Sequence, residues 1–491
     1  MHSYQLFIDG RWRDSSQQRS FGTINPFTRE VWANIPDASD ADVDEAIAAA
    51  RRAFDTVWSK TNGLQRAVLI NRLADLLEGA AGRMATLETT DNGKVIRETK
   101  PQMLFAARQY RFFAGYADKL FGSVIPLDQA EVFDYAVRVP VGVAVLVTAW
   151  NSPMGLLSNK LAPALAAGCC VVIKPSEHAS ATTLEFCKLV EQAGFPPGVV
   201  NVVTGGAQVG TRLTGAPGLG RVSFTGSVEV GRRVAMAAGQ NLTPVTLELG
   251  GKSPNIIFED ADLKRAVVGA LAGIFGATGQ TCIAGSRLLV QRSIYSEVVA
   301  TLAERAKAIK LGNPLDEATE MGTVATEAQF ERVLAFAADA KAEGARLVTG
   351  GAAAVGEHLG KGLFVQPTIF DEVSNSMRLA REEVFGPVLA VIPFDDEEEA
   401  IRIANDTRFG LAAGVWTRDV GRVHRMVRAI QSGVVWVNTY RAVAVQAPFG
   451  GTKESGFGRE RGEAALHEFT AMKNVMIDFS TDVRDPFAIR T

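Results

Sequence analysis

The chain has 491 residues, 47% of them hydrophobic and 21% charged, which is the make-up of a globular protein too long for one simple core, so two or three domains are expected. With 51 basic and 54 acidic side chains the net charge is −3, which offers no footprint for nucleic acid or a membrane surface. The four cysteines, at 169, 170, 187 and 282, match no metal or disulfide framework, so no metal is expected and a reducing cytoplasm is the natural compartment.

The opening MHSYQLFIDGRWRD lacks the apolar run of a signal peptide. Ser39 or Asp40 caps a predicted helix in which Val43, Ile47, Ala50 and Phe54 recur at helical spacing. Residues 64–90 and 101–119 read as further helices, after which FDYAVRVPVGVAVLVTAW turns to β-branched runs. The uncharged span 139–159 is broken by Pro140, Gly142, Pro153 and Gly155, so it predicts strand, turn and helix, not a membrane span. CCVVIKP, GVVNVVTG, RVSFTGS and PNIIFED then alternate with helical stretches, the pattern of a parallel sheet buried on both faces. After Cys282 a second α/β alternation follows: SRLLVQ, a helix at 294–310, ARLVTGG, FVQPTIF, VLAVIPF, a helix at 395–405 and GVVWVN, with KNVMIDFS as a last strand.

Several residues stand out locally. Cys282, in FGATGQTCIAGSR, has small polar neighbours where a packing cysteine would have aliphatic ones; a nucleophile and a buried small hydrophobe both remain open. Glu248, in VTLELGGKSPNII, is a carboxylate in an apolar run, where burial raises its pKa towards that of a general base; an ion pair with Lys252 is the alternative. Asn151, in TAWNSPM, is either a turn residue or an amide donor for an oxyanion. Lys174 and Glu177, in VVIKPSE, sit in a loop at a strand end, where they could grip ribose hydroxyls. GGAQVG at 205–210 and the Gly226–Ser227 turn in FTGSVEVGRRV compete for a pyrophosphate, and neither is a P-loop. None of the five histidines lies in a catalytic signature, which counts against a thiol hydrolase.

In order along the chain, TAWNSP, KPSE, FTGS, LELGGKSP, GQTCIAGSR, EEVFGPV and PFGGTKESGFGRE resemble the aldehyde dehydrogenase superfamily over nearly the whole length. The resemblance implies Cys282 as nucleophile, Glu248 as general base, Asn151 with the Cys282 N–H as oxyanion hole, and Lys160 in proton relay. It implies a cofactor site of Trp150, Lys174, Ser176, Glu177, Gly226, Ser227, Gly250, Glu383 and Phe385. It implies a substrate tunnel near Ser152, Asn159, Thr281, Ile283, Tyr440, Arg441, Val443 and Phe449. Many relatives carry aromatics at the positions of Ser152, Asn159 and Val443, so a wider or more polar tunnel is expected here. Arg441 is either a partner for a substrate carboxylate or a residue turned to solvent or a neighbouring subunit.

The expected activity is NAD-dependent oxidation of an aldehyde to the acid through a thioester that water hydrolyses, with a polar or carboxylate-bearing aldehyde as the expected substrate. Glu177 should repel a 2′-phosphate, favouring NAD over NADP. Transfer of the thioester to coenzyme A and a non-catalytic NAD-binding relative are the alternatives. The implied fold is α/β: a Rossmann-like cofactor domain (1–118 and 141–252), a second α/β catalytic domain (253–450), and a β oligomerisation arm with the tail (119–140 and 451–491) that builds a homodimer or homotetramer.

Overall fold

A computed structural model describes residues 2–481 and 486–487. Two large sheets dominate. The first has eight strands in the order Gly456–Phe457, Val245–Glu248, Arg221–Thr225, Val143–Val147, Cys170–Lys174, Val200–Val202, Leu6–Ile8, Arg11–Arg13. Its five central strands are parallel. Every residue of Val143–Val147 and Cys170–Lys174 is buried, as unbroken apolar strands require when helices cover both faces. One cover is the helix Asp40–Thr56, which turns Val43, Ala46, Ile47, Ala50 and Ala53 inward. Its start is fixed by a capping box: Ser39 Oγ accepts from the Asp42 N–H, and the Asp42 carboxylate accepts from the Ser39 N–H.

The second sheet has seven strands in the order Arg346–Thr349, Thr368–Asp371, Val388–Phe394, Arg287–Gln291, Pro254–Ile257, Ala412–Trp416, Val434–Val437, parallel except at Arg346–Thr349. The catalytic candidates lie where these two sheets meet. A third, antiparallel sheet joins Ser123–Ile125, Val132–Pro140 and the final strand Thr470–Asp478.

Some boundaries differ from the sequence reading. The span 64–90 is two helices, Gly63–Gly79 and Ala81–Asn92, broken at Ala80, whose φ/ψ of −94°/1° leaves the helical region. The next helix runs Ile96–Ala114, so Pro101 lies inside it and does not start it. The helices expected at 294–310 and 395–405 are Tyr295–Lys307 and Glu397–Asn405. Gly456–Phe457, grouped with the tail by sequence, pairs with Leu247 and Glu248 in the first sheet. No helix among the described residues is long and apolar enough to cross a membrane, and none of their His, Cys, Asp and Glu side chains cluster as a metal site.

Candidate active site

Strand register delivers the candidates to one edge. Val147 pairs with Lys174, Phe224 with Val147, and Thr225 with Glu248, so the carboxyl ends of four strands lie level. Chain order runs one way from Val143–Val147 through Cys170–Lys174, and the other way from Arg221–Thr225 to Val245–Glu248, which opens a crevice at the switch point. A cleft of about 490 Å³ lies there, lined by Trp150, Lys174, Ser176, Glu177, Gly226 and Ser227. It continues past Trp150, Gly226 and Ser227 into a second space of about 440 Å³ lined by Asn151, Glu248, Gly250, Cys282, Glu383 and Phe385.

The cleft offers what a nicotinamide dinucleotide asks for. Ser227 caps the helix Val228–Gly239, its Oγ accepting from the Val230 N–H at 3.3 Å. The remaining first-turn N–H groups of such a helix are free for an anion such as pyrophosphate. Lys174 Nζ donates to the Pro175 carbonyl at 3.0 Å and stands 3.6 Å from Glu177 Oε2. At the far end Trp150 meets Phe385 edge to face, centroids 5.3 Å apart. Glu383 Oε1 accepts from the Gly251 N–H at 2.9 Å, and burial pushes its carboxyl up to about 7.

Cys282 ends a loop that follows the helix Leu263–Phe275. Ala277, Thr278 and Gly279 hold φ of 53°, 55° and 69°, a left-handed run that costs non-glycine residues about 1–2 kcal/mol each. The run is held from several sides. Glu98 Oε1 accepts from the Ala277 N–H, Asn151 Nδ2 donates to the Gln280 carbonyl at 3.0 Å, and Tyr440 Oη donates to the Ile283 carbonyl at 3.1 Å. A Cβ on Gly279 would lie 2.1 Å from the Gly386 carbonyl oxygen, so only glycine fits there. As a residue Cys282 is partly exposed, whereas Cys169, Cys170 and Cys187 are buried. Burial, then the charges of Glu248, Glu383 and Glu460, pushes the Cys282 thiol up to about 12; Arg461 opposes them.

Glu248 is the last residue of its strand, buried with both carboxylate oxygens unpaired among the described residues. Its pKa is driven well above the carboxylate range by burial and then by Glu460, against the pull of Lys160, Arg459 and Arg461. The alternative ion pair with Lys252 does not form: Lys252 Nζ is buried without a hydrogen-bond partner among the described residues, and burial lowers its pKa to about 7.

Lys160 is fully buried on the helix Pro153–Ala167 and donates to Glu460 Oε1 at 2.5 Å and Ser223 Oγ at 3.1 Å. Glu460 closes the last motif of the sequence reading, where it had no role. Asn159 holds its other oxygen, Nδ2 to Oε2 at 3.1 Å, and accepts from Arg461 Nε at 3.1 Å. Sequence reasoning also passed over Lys94, whose Nζ donates to Ser152 Oγ at 2.5 Å and Gln102 Oε1 at 3.1 Å.

The tunnel candidates separate. Ser152, Asn159 and Phe449 belong to this polar group, Phe449 lying under the Arg461 guanidinium at 5.0 Å. Thr281 is half-buried beside Cys282, and Val443 is exposed. Ile283 and Tyr440 are buried in the core beneath the nucleophile loop, so they support that loop instead of facing a substrate. Arg441 donates from Nη1 to the Ala272 carbonyl at 3.0 Å, which satisfies the end of the preceding helix.

Comparison with known proteins agrees with this geometry. Residues 12–475 match the aldehyde dehydrogenase family. The chain is 47% identical to (Z)-2-((N-methylformamido)methylene)-5-hydroxybutyrolactone dehydrogenase of Acinetobacter baylyi, over 100% of both chains. It is 43% identical to betaine aldehyde dehydrogenase of Bacillus subtilis, over 96% of this chain and 97% of that one. A point mutant of betaine aldehyde dehydrogenase from Staphylococcus aureus, solved in complex with NAD+, superposes with a TM-score of 0.98 at 39% identity, covering 100% of both chains. The chain therefore belongs to the aldehyde dehydrogenase family and is an NAD(P)-dependent oxidoreductase acting on aldehydes.

Proposed function

We propose that the chain oxidises a polar or carboxylate-bearing aldehyde to its acid, with NAD as oxidant and water as acceptor of the acyl group. The observation that carries this is the meeting of Cys282, Glu248 and Asn151 in one space, continuous with the cofactor cleft. The Cys282 thiol gives up its proton to water as its sulfur bonds to the aldehyde carbon, and the carbonyl π pair moves onto oxygen. One N–H of Asn151 Nδ2 is committed to Gln280, and the second is free to meet the oxyanion, a donor worth about 10²–10³ in rate. The bound nicotinamide accepts the hydride, leaving a thioester on Cys282. Glu248 then takes a proton from the water that attacks this thioester, a contribution of about 10²–10⁴. The charges of the Lys160–Glu460 pair act on buried Glu248 and so tune how readily it holds that proton. Aldehyde, NAD+ and water become acid, NADH and a proton.

Glu177 supports NAD over NADP: a carboxylate there accepts from both ribose hydroxyls and repels a 2′-phosphate. A polar substrate is supported by Ser152 and Asn159 and by the Acinetobacter baylyi relative, named for a 5-hydroxybutyrolactone. Such a ring opens to a chain with an aldehyde at one end and a carboxylate at the other. We assign the first sheet with its helices to a cofactor domain and the second to a catalytic domain. The cell compartment that suits four unpaired thiols is the cytoplasm.

The test is pre-steady-state NADH formation with a short semialdehyde. Wild type should turn over without coenzyme A, Cys282→Ala should give no NADH, and Glu248→Gln should give a burst of one NADH per site followed by turnover slower by 10²-fold or more. A Glu248→Gln enzyme with no burst would remove Glu248 from thioester hydrolysis, and dependence on coenzyme A would favour acyl transfer. A higher kcat/KM with NADP than with NAD would refute the reading of Glu177.

A further inference from the structure

Three cations, Lys94, Arg441 and Arg461, lie near the nucleophile loop and its supports, and carboxylates match the first of them. Lys94 is held by Ser152 and Gln102 and is coupled to the carboxylates of Glu88 and Glu98. Arg441 makes one hydrogen bond, to the Ala272 carbonyl, and no ion pair among the described residues, and its φ, like that of Arg461, is 60°. Arg461 is different. Its guanidinium lies between the rings of Phe449 and Phe105, 5.0 and 5.4 Å from their centroids. Among the described residues the side chain makes one hydrogen bond, Nε to Asn159 Oδ1, and no ion pair. The adjacent carboxylate, Glu460, is engaged by Lys160 and Asn159 instead. For the half-buried guanidinium the cost of burial outweighs the pull of Glu460 and lowers its pKa, so an added anion would be favourable there. The guanidinium couples first to Glu460 and then to Cys282 and Glu248, so it lies close to the reacting groups.

The backbone adds an independent sign. Arg461 holds φ 60° and ψ 168°, a region that is essentially restricted to glycine and costs other residues about 1–3 kcal/mol. Glycine would relieve that strain, yet an arginine occupies the position. Asn159 fixes the Nε edge and the two rings fix the plane, so the Nη1–Nη2 edge is the part of the fork left to a ligand. That edge matches the two oxygens of a carboxylate.

We propose that Arg461 is the specificity-determining residue of this enzyme, binding the carboxylate of a short aldehyde acid through Nη1 and Nη2 while the aldehyde carbon reaches Cys282. The inference rests on the reading of Cys282 as the nucleophile. It moves the carboxylate contact from Arg441, where the sequence suggested it, to a residue beside the reacting centre.

The experiment compares 4-oxobutanoate with butanal, equal in chain length and different in charge, on wild type, Arg461→Lys, Arg461→Met and Arg461→Gly. Wild type should favour 4-oxobutanoate by about 10²-fold or more in kcat/KM. That ratio should collapse in Arg461→Met and be partly kept in Arg461→Lys, because a point charge survives without the fork. Arg461→Gly removes the backbone strain, so it keeps the test open if the methionine variant folds poorly; its ratio should collapse as well. As a binding readout, butyrate should protect Cys282 of wild type from iodoacetamide at lower concentration than butanamide, and this difference should vanish in Arg461→Gly. Equal use of both aldehydes by wild type, or a parallel fall on both in every variant, would overturn the proposal. Absence of NADH from any aldehyde in wild type would instead overturn the catalytic reading beneath it.

Discussion

At the scale of single residues the site is dominated by charge held out of water. Cys282 faces three carboxylates, and its thiol is pushed up to about 12, so the free enzyme carries it protonated at neutral pH. Below its pKa the thiolate fraction grows about tenfold per pH unit. Alkylation of Cys282 by iodoacetamide in the absence of cofactor should therefore rise about tenfold per unit from pH ~6 to ~9 without a plateau. A plateau near neutrality, read by mass spectrometry of the Cys282 peptide, would contradict the electrostatics described. Cys282 and Glu248 were legible as candidates because each breaks the expectation set by its neighbours, whereas Asn151 reads locally as a turn residue too and is singled out through the resemblance. Glu460 and Arg461 were not legible, since their meaning comes from Lys160 and Asn159, some 300 residues away. The left-handed Ala277 and Thr278 were illegible for another reason: neither residue type signals a positive φ.

At the scale of elements, the crossing between the two sheets sets the tolerances. The segment after Val245–Glu248 passes directly under Glu383: a Cβ on Gly250 would lie 2.2 Å from Glu383 Oε2, and one on Gly251 would lie 2.4 Å from the Cys282 carbonyl oxygen. Gly250→Ala should displace the Glu383 carboxylate and weaken NAD binding by about 10-fold to 10²-fold, the scale of loss that a displacement near 1 Å produces. Titration of NAD against intrinsic fluorescence measures it, and an unchanged Kd would show that Glu383 does not hold the cofactor. Most of the buried parallel strands were predicted, because they are continuous apolar runs, but Val245–Glu248 and Ala412–Trp416 were not named as strands. Helix ends were predicted less well: Pro101 reads as a start but sits inside Ile96–Ala114.

At the scale of the molecule, the three-stranded sheet is the part without an obvious partner. Phe121, Val124, Phe133, Met472, Met476, Ile477 and Phe479 are exposed on and around it. We propose that this sheet pairs subunits, since an exposed apolar patch on strand edges invites a second chain. Replacing Met476 and Ile477 together by aspartate should shift the light-scattering mass of the protein to that of the monomer. A monomeric wild type, or a variant mass equal to an oligomeric wild type, would place the interface elsewhere. The α/β architecture was legible from the strand–helix alternation, but the docking of Gly456–Phe457 onto the first sheet was not, because two-residue strands carry no periodicity.

That docking has a consequence for how the enzyme comes into being. Lys160 is buried early in the chain, but the carboxylate that neutralises it arrives only with Glu460, 300 residues later. While a ribosome is still adding those residues, the nascent first sheet contains a lysine it cannot comfortably enclose, and removing one member of such a buried pair costs about 3–5 kcal/mol. Glu460, Arg461 and the strand Thr470–Asp478 are then delivered together by one short stretch of sequence. Competence for chemistry thus waits on sequence made after the nucleophile: Cys282 is synthesised well before Glu460 and Arg461, the charges that act on it.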